Sequence, residues 1–328
     1  MVSNKRDMEK DALEKVTFEG WNDCVRLSNN DIELIATTAV GPRIIRYGFH
    51  DGPNAFHVIP ETRGQTGGGK WLPYGGHRLW HAPEVMPRSY GPDADPVGTV
   101  EMDGDALRLA NPPEPLAGVA KEMRVTLAAR GSGVRVEHVL TNHNPWPITL
   151  APWGLSIVAN GGQVVFPQEP FVSHDNDLTP ARPVVLWKFT DMADPRWRWG
   201  TRYLTLSQQG AAGNPQKVGI FNARGWAAHI AHGQAFIIRI EVAPGGPAAL
   251  PDQGCNFETY TDGPFQELET LGPLVLLEPG QSVSHMEFWH LGKAAGPVAS
   301  DDDLDATLLP LVETAQAETA KAFSAAER

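Results

Sequence analysis

Short segments in which apolar and polar residues alternate run through most of this 328-residue chain. Successive side chains of a β-strand point to opposite faces, so a period of two is typical of strands with one buried face. Turn residues separate the segments, and the chain contains 33 glycines and 28 prolines. Many short strands joined by tight turns predict an all-β fold, a large antiparallel β-sandwich. Examples are Ile32 to Ala36, Met123 to Leu127, Val134 to His138 and Phe236 to Ile240.

Helical periodicity is sustained only at the two ends of the chain. One helix is predicted at about residues 5–15, in an N-terminal helical extension over 1–20. A second is predicted at about 303–326, in a C-terminal segment over 296–328, with Pro310 favouring a short turn before a longer helix. The interval 21–295 contains no internal repeat or linker, which indicates one β-domain.

Charge excludes two classes of partner. The chain has 27 basic and 39 acidic side chains, a net charge of −12, and no run of Lys or Arg longer than a pair. Binding to nucleic acid or to anionic lipid requires clustered cationic side chains, and the sequence contains no such cluster. Neither a nucleic acid nor a membrane is therefore expected as a partner. The uncharged stretch between His143 and Glu169 is broken by prolines and predicts buried strands rather than a membrane span.

The two cysteines and the first residues indicate a cytoplasmic location. Cys24 and Cys255 are too few and too far apart in sequence for a disulfide framework or a thiolate metal site. The N-terminal residues are charged where a signal peptide would be apolar.

The densest group of chemically active side chains follows a Gly-Gly turn, in residues 74–84. His77 and His81 are candidate catalytic residues, because imidazole exchanges protons near neutral pH. Arg78, Trp80 and Glu84 are candidate substrate contacts, and together the five residues are typical of a sugar site. Two alternatives stay open: a loop whose polar groups cap one another, and a metal site that uses His77, His81 and Glu84.

His138 is a further candidate catalytic residue. If Val134, Val136 and Leu140 face inward, alternation places His138 on the same face, in the interior or in a cleft. The alternative is a core histidine with satisfied hydrogen bonds.

Residues 255–273 form two strand-like stretches around an Asp-Gly turn. Alternation places Glu267 and Glu269 on one face with Phe265 and Leu271, and carboxylates on such a face need partners that a cleft supplies. A carboxylate in a partly apolar cleft gains proton affinity and suits acid–base catalysis, so both are candidate catalytic residues, with Glu258 as a substrate contact. The alternative is a solvated pair.

The segment 191–199 contains Trp197 and Trp199 beside arginine and aspartate side chains. It is either a stacking platform for a sugar or a loop that packs its own indoles. The sequence contains no GxSxG, Walker A, GxGxxG or HExxH motif, which argues against hydrolase triads, nucleotide binding and zincin chemistry.

Four segments, in this order, resemble the galactose mutarotase-like, or aldose 1-epimerase-like, superfamily. They are Gly41 to Phe49 with the following Asn54, the Gly-Gly-His at 75–77, Val134 to Asn142, and Leu276 to Gln281. Within the superfamily, GGHRLWHAPE and the later ETLGPL and PGQS segments most resemble a bacterial family of unknown function.

This resemblance implies a supersandwich of two sheets with a sugar-binding cleft. In aldose 1-epimerases a Glu removes the proton of the anomeric hydroxyl and a His protonates the ring oxygen. Glu267 or Glu269 would be the base here. The expected histidine is absent, because the corresponding stretch reads Ala-Pro-Trp-Gly at 151–154, so Trp153 would stack on the sugar and the proton would come from His77, His81 or His138.

The sequence therefore favours a cytoplasmic aldose 1-epimerase-like enzyme, a monomer or homodimer without a cofactor, that acts on a small-molecule carbohydrate by Glu/His acid–base chemistry. One alternative is a non-catalytic sugar-binding module. Another is a metal-dependent sugar lyase or hydrolase that uses His77, His81 and Glu84. A phosphorylated sugar would need convergent cations, for which Arg43 is a candidate beside Arg78.

Overall fold

Two large antiparallel sheets pack face to face in this computed structural model, which describes residues 13–208, 213–296 and 298–323. The predicted antiparallel β-sandwich is confirmed. Within those ranges, no helix has the length and apolar character needed to cross a membrane.

Within the described residues the larger sheet contains 11 strands, numbered in chain order and given in their spatial order, with β20 pairing β10 beside the main path. They are β1 (Glu14–Phe18), β2 (Trp21–Ser28), β3 (Ile32–Thr37), β4 (Arg43–Phe49), β5 (Gly76–Ala82), β10 (Ile148–Val158), β19 (Gln266–Leu271), β18 (Phe257–Thr261), β15 (Gln216–Ile220), β12 (Val184–Leu186) and β20 (Val275–Leu277).

The second sheet contains 10 strands in the part of the chain that the structure describes. In spatial order they are β13 (Trp197–Trp199), β14 (Tyr203–Ser207), β11 (Gln163–Pro167), β16 (Trp226–Ala231), β17 (Gln234–Ile240), β21 (Ser282–Lys293), β9 (Val134–Asn142), β8 (Val119–Leu127), β7 (Ala106–Ala110) and β6 (Thr99–Asp103).

The core lies between the two sheets. Aromatic rings from both sheets meet there: the centroids of Tyr47 and Trp289 lie 5.6 Å apart, and those of Phe56 and Phe236 lie 5.6 Å apart. Each such contact contributes roughly 0.5–1.5 kcal/mol beyond the burial of its area. Strands β5 and β10, in the middle of the larger sheet, are buried almost throughout.

The C-terminal helix α1 (Asp301–Phe323) packs on the outer face of the second sheet. Leu304, Leu308 and Val312 lie buried against β11, β16 and β17. Pro310 does not interrupt the helix, contrary to the predicted turn. A proline removes one backbone donor, and the apolar contacts on both sides of it hold the helix continuous.

The predicted N-terminal helix lies mostly outside the described residues, and its described end is not helical. Residues Glu14–Phe18 form β1, which pairs with β2 at the edge of the larger sheet. An ion pair between Glu14 and Arg26 joins the two strands. The prediction is wrong for this part of 1–20 because pairing with the sheet edge overrides local helical periodicity. The proposed domain boundaries stay predictions.

Candidate active site

A cleft of about 590 Å³ lies on the outer face of the larger sheet. Its floor is formed by five neighbouring strands, β5, β10, β19, β18 and β15. Strand register places Arg78, Leu155, Glu269 and Glu258 in one row across this floor. A second row contains Glu267, Tyr260 and Lys217. Polar side chains from distant parts of the sequence thus meet on one face.

Aromatic side chains form the walls of the cleft. The guanidinium of Arg78 lies 4.4 Å from the ring centroid of Trp80, and Trp80 lies 5.5 Å from Trp153, edge to face. Flat apolar rings beside hydrogen-bonding groups suit a sugar, whose C–H faces and hydroxyls need both. The aromatic lining residues are Trp71, Trp80, Tyr90, Trp153, Trp187, Phe189, Tyr260 and Phe265.

Glu267 lies at the base of the cleft with an altered proton affinity. Its Oε1 atom is 3.4 Å from Nη2 of Arg78. Burial, with the nearby Glu269 carboxylate, raises the pKa of Glu267 to about 7, and Arg78 opposes that rise. At neutral pH this carboxyl can therefore either accept or donate a proton, as acid–base catalysis requires.

Lys217 joins two carboxyl groups beside Glu267. Its Nζ atom lies 2.8 Å from Oε2 of Glu258 and 2.9 Å from Oε2 of Glu269. Glu258 and Glu269 face each other directly on β18 and β19. Two like charges in this position repel, and Lys217 compensates for them. Burial raises the pKa of Glu258, whereas the pKa of Lys217 is raised by both carboxylates against the opposing effect of burial.

Trp153 stands at the position where the resemblance implied a histidine. Its indole Nε1 donates a hydrogen bond of 2.9 Å to Oε2 of Glu269. Nζ of Lys217 lies 4.9 Å from the Trp153 ring centroid. Trp153 thus orients the Glu269–Lys217 pair and has no proton to exchange near neutral pH.

His77 and His138 do not line the cleft. Both are fully buried between the two sheets, on the opposite face of the larger sheet. Their Nε2 atoms are 3.1 Å apart, and Glu287 Oε2 lies 3.6 Å from the first and 3.4 Å from the second. Burial lowers the pKa of His77 to about 3, so its imidazole is neutral. Among the described lining residues of the cleft there is no histidine.

Three further predicted site residues lie in different parts of the structure: His81, Glu84 and Arg43. His81 is buried on the inner face, with Nε2 3.6 Å from Oε2 of Glu114. Glu84 lines the cleft at its exposed rim, where it accepts a hydrogen bond from Tyr90. Arg43 is buried away from the cleft and donates to the Gly75 carbonyl.

The predicted metal set of His77, His81 and Glu84 is therefore not assembled. Strand β5 turns both histidines inward, whereas Glu84 follows the end of the strand at the cleft. Arg43 likewise offers no cation to a ligand, since Nη2 also pairs with Asp93 at 2.6 Å.

The segment 191–199 packs its own indoles. The ring centroids of Trp197 and Trp199 are 5.6 Å apart, and Trp197 donates to Gln216. Neither lines the cleft.

Sequence reasoning missed Lys217, Tyr90 and Glu287. Lys217 lies between Gln216 and Val218 on β15. From alternation alone, a lysine at such a position is expected on the solvent-exposed face of a strand. Glu287 lies on β21 between Met286 and Phe288, two residues before Trp289, and a carboxylate among large apolar side chains is the signal that could have identified it.

No protein-family model matches this sequence, and no curated protein matches it. Solved structures do resemble it. A Klebsiella pneumoniae protein named "putative aldose 1-epimerase" superposes with a TM-score of 0.55 at 11% identity, over 92% of this chain and 87% of that one. This chain has the aldose 1-epimerase-like fold.

Two further solved structures resemble this chain. The Slr1438 protein of Synechocystis sp. PCC 6803 has a TM-score of 0.51 at 12% identity, over 86% of this chain and all of that one, 100%. A TPR-domain containing protein of Parabacteroides distasonis has a TM-score of 0.52 at 13% identity, over 83% of this chain. This chain spans about half of that protein's length, 47%.

Proposed function

We propose that this protein is a mutarotase-type enzyme that exchanges the anomers of an aldose in the cleft, with Glu267 as the proton-transfer group. The observation that carries the proposal is Glu267 itself: a carboxyl with a pKa raised to about 7, at the base of a cleft walled by aromatic rings. The aldose 1-epimerase-like fold supports the same chemistry.

In the proposed reaction the Glu267 carboxylate takes the proton of the anomeric hydroxyl. The C1–O5 bond of the sugar then breaks, its electron pair goes to the ring oxygen, and that oxygen takes a proton from a water molecule in the cleft. The open-chain aldehyde rotates about C1–C2, and its O5 hydroxyl then attacks the other face of C1. On closure this hydroxyl returns its proton to the hydroxide left by the water molecule, and the new anomeric oxygen takes the proton back from Glu267. No atom is gained or lost.

Water as the proton donor replaces the histidine that the resemblance implied. Trp153 occupies that position, and both His77 and His138 face the opposite side of the sheet. The sequence predicted acid–base catalysis by a glutamate and a histidine, whereas the proposed reaction uses Glu267 as the one proton-transfer side chain.

The remaining cleft groups hold the sugar in place. Lys217 pairs with both Glu258 and Glu269, which leaves its ammonium fixed beneath the Trp153 and Trp187 rings. Arg78 would hold the Glu267 carboxyl in position at the floor of the cleft, where its Nη2 lies 3.4 Å from Oε1 of Glu267. The cytoplasmic location and the monomeric or homodimeric state stay predictions.

Two-dimensional exchange NMR on a panel of aldoses tests the proposal. With enzyme present, α/β exchange cross-peaks should appear at mixing times at which the sugar alone gives none. A Trp199→Phe variant, altered outside the cleft, should match the wild type. Absence of acceleration for every sugar that binds would contradict the proposal.

A non-catalytic sugar-binding module is the second candidate. The specific observation that favours it is the lining of the cleft. Among the described residues that line it, eight are aromatic and none is a histidine. Saturable quenching of tryptophan fluorescence by a sugar, without faster anomer exchange, would support the module.

A further inference from the structure

Three potential metal ligands converge between the two sheets, behind the cleft. His77 comes from β5 of the larger sheet, whereas His138 and Glu287 come from β9 and β21 of the second sheet. Their nearest donor atoms are 3.1, 3.4 and 3.6 Å apart. Ligands of a tetrahedral zinc ion at about 2.0–2.1 Å are separated by about 3.3–3.4 Å, which is close to this triangle.

The chemistry of the three groups suits a divalent ion. Each residue offers one ligand atom, an imidazole nitrogen or a carboxylate oxygen, and these atoms lie within 4.8 Å of one another. Nδ1 of His77 lies 2.9 Å from Ser156 Oγ, and Trp289 Nε1 donates to Glu287 Oε2 at 2.8 Å. Such outer contacts orient the ligands in metal sites.

If both imidazoles are neutral and share one proton between their Nε2 atoms, one lone pair faces the carboxylate in either arrangement. If His77 donates its Nε2 proton to His138, the lone pair of the His138 Nε2 faces the Glu287 carboxylate at 3.4 Å. If His138 donates instead, the lone pair of His77 faces the same carboxylate at 3.6 Å. In both cases Nδ1 of His138 has no hydrogen-bond partner among the described residues. A cation removes the repulsion in either case.

Gly154 provides the space for the carboxylate. A Cβ atom at this position of β10 would lie 2.2 Å from Oε1 of Glu287. Gly154 lies between Trp153 and Leu155, which both line the cleft, and its own face is turned toward the interior. The absent side chain thus lets the Glu287 carboxylate reach the two histidines.

From this geometry we propose that His77, His138 and Glu287 bind one divalent transition-metal ion, with a water molecule as fourth ligand. Zn²⁺ is the preferred ion. Two imidazoles and one carboxylate are a donor set that zinc accepts. The ion would join the two sheets directly behind Arg78 and stabilise the sandwich. This proposal is independent of the proposed function, because metal binding is measured without substrate.

The test begins with untagged full-length protein from zinc-supplemented medium, followed by elemental analysis. About one zinc per chain is expected for the wild type, and chelation should lower its thermal midpoint reversibly. His77→Gln and His138→Gln should each lower the zinc content at least about tenfold and lose the response of the midpoint to added zinc.

His81→Gln is the matched control. His81 is buried on the same strand and face as His77, but it lies beside Glu114 rather than Glu287. This variant should keep the full zinc content. An equal loss of zinc in His81→Gln would overturn the assignment of ligands.

Zinc K-edge X-ray absorption of the loaded wild type keeps the proposal testable if the variants do not fold. Two imidazoles and further oxygen ligands are expected around the ion. Protein that contains no stoichiometric metal, and whose thermal midpoint does not respond to Zn²⁺, Co²⁺, Ni²⁺, Mn²⁺ or Fe²⁺, would overturn the proposal.

Discussion

His77 and Arg78 are consecutive in the chain and face opposite sides of the same sheet. Arg78 lines the cleft, where it lies over Trp80 and 3.4 Å from Glu267. His77 points between the sheets, 3.1 Å from His138. The dense motif at 74–84 therefore contributes to two distinct groups of side chains: those that line the outer cleft and those of the buried cluster between the sheets.

Loss of Lys217 should strongly destabilise the protein. Lys217→Met leaves the Glu258 and Glu269 carboxyls buried without their cation, and breaking such a pair costs about 3–5 kcal/mol. Chemical denaturation at pH 8 measures the change. Adding Glu269→Gln to this variant should restore part of the loss, and Arg26→Met, which breaks an exposed ion pair, should cost no more than about 1 kcal/mol. Equal losses of unfolding free energy in Lys217→Met and Arg26→Met would contradict a stabilising role for the buried Lys217 pairs.

Glu267→Gln should change how stability depends on pH. The pKa of Glu267 is raised from 4.5 to about 7 in the folded protein, so the folded state binds this proton more tightly than the unfolded state. The contribution of this proton to wild-type stability is present below about pH 4.5 and is lost as pH rises through about 7. The variant lacks this titration. Its thermal midpoint, relative to wild type, should rise between pH 5 and pH 8, and a difference independent of pH would argue against a buried titrating carboxyl.

Sugar binding should be visible in tryptophan fluorescence. Trp80 and Trp153 line the cleft, whereas Trp199 lies outside it. Trp80→Ala should weaken a saturable sugar response at least about tenfold, since a stacking contact of about 1.4 kcal/mol or more is lost. Trp199→Ala is the control and should retain wild-type affinity. A weaker response in both variants would indicate general loss of structure.

Gly154→Ala should destabilise the fold and weaken metal binding. The new methyl would lie 2.2 Å from Oε1 of Glu287, so the carboxylate or β10 must shift. Gly91→Ala is the control, because its added Cβ meets nothing closer than 3.8 Å. Differential scanning calorimetry with elemental analysis measures both effects. Unchanged zinc content in Gly154→Ala would show that the space beside Glu287 is not required.

The sequence could predict the sandwich because alternation along a strand depends on local spacing. It placed Glu267 and Glu269 on one face with Phe265, and Phe265 and Glu267 line the cleft. The helix over 303–326 was likewise visible, since Leu304 and Leu308 recur at helical spacing and are buried.

Pairing between distant strands could not be predicted in this way. Alternation also separates His77 and His81 from Arg78 and Trp80, but which face of β5 would carry the cleft depended on its neighbours in the sheet. Lys217 joins Glu258 and Glu269 only because β15 pairs with β18. Glu287 meets His77 only across the two sheets.

The rate of anomer exchange as a function of pH, measured by exchange NMR for wild type and Glu267→Gln, tests the central claim most directly. If Glu267 is the base, the wild-type rate should rise with pH through about 7 and then level off, as its carboxylate forms. Glu267→Gln should bind the sugar with similar affinity and lose at least about 100-fold in rate, the lower range of general-base catalysis. A variant that keeps wild-type exchange at pH 8, or a wild type that binds sugar without accelerating exchange at any pH, would contradict the account.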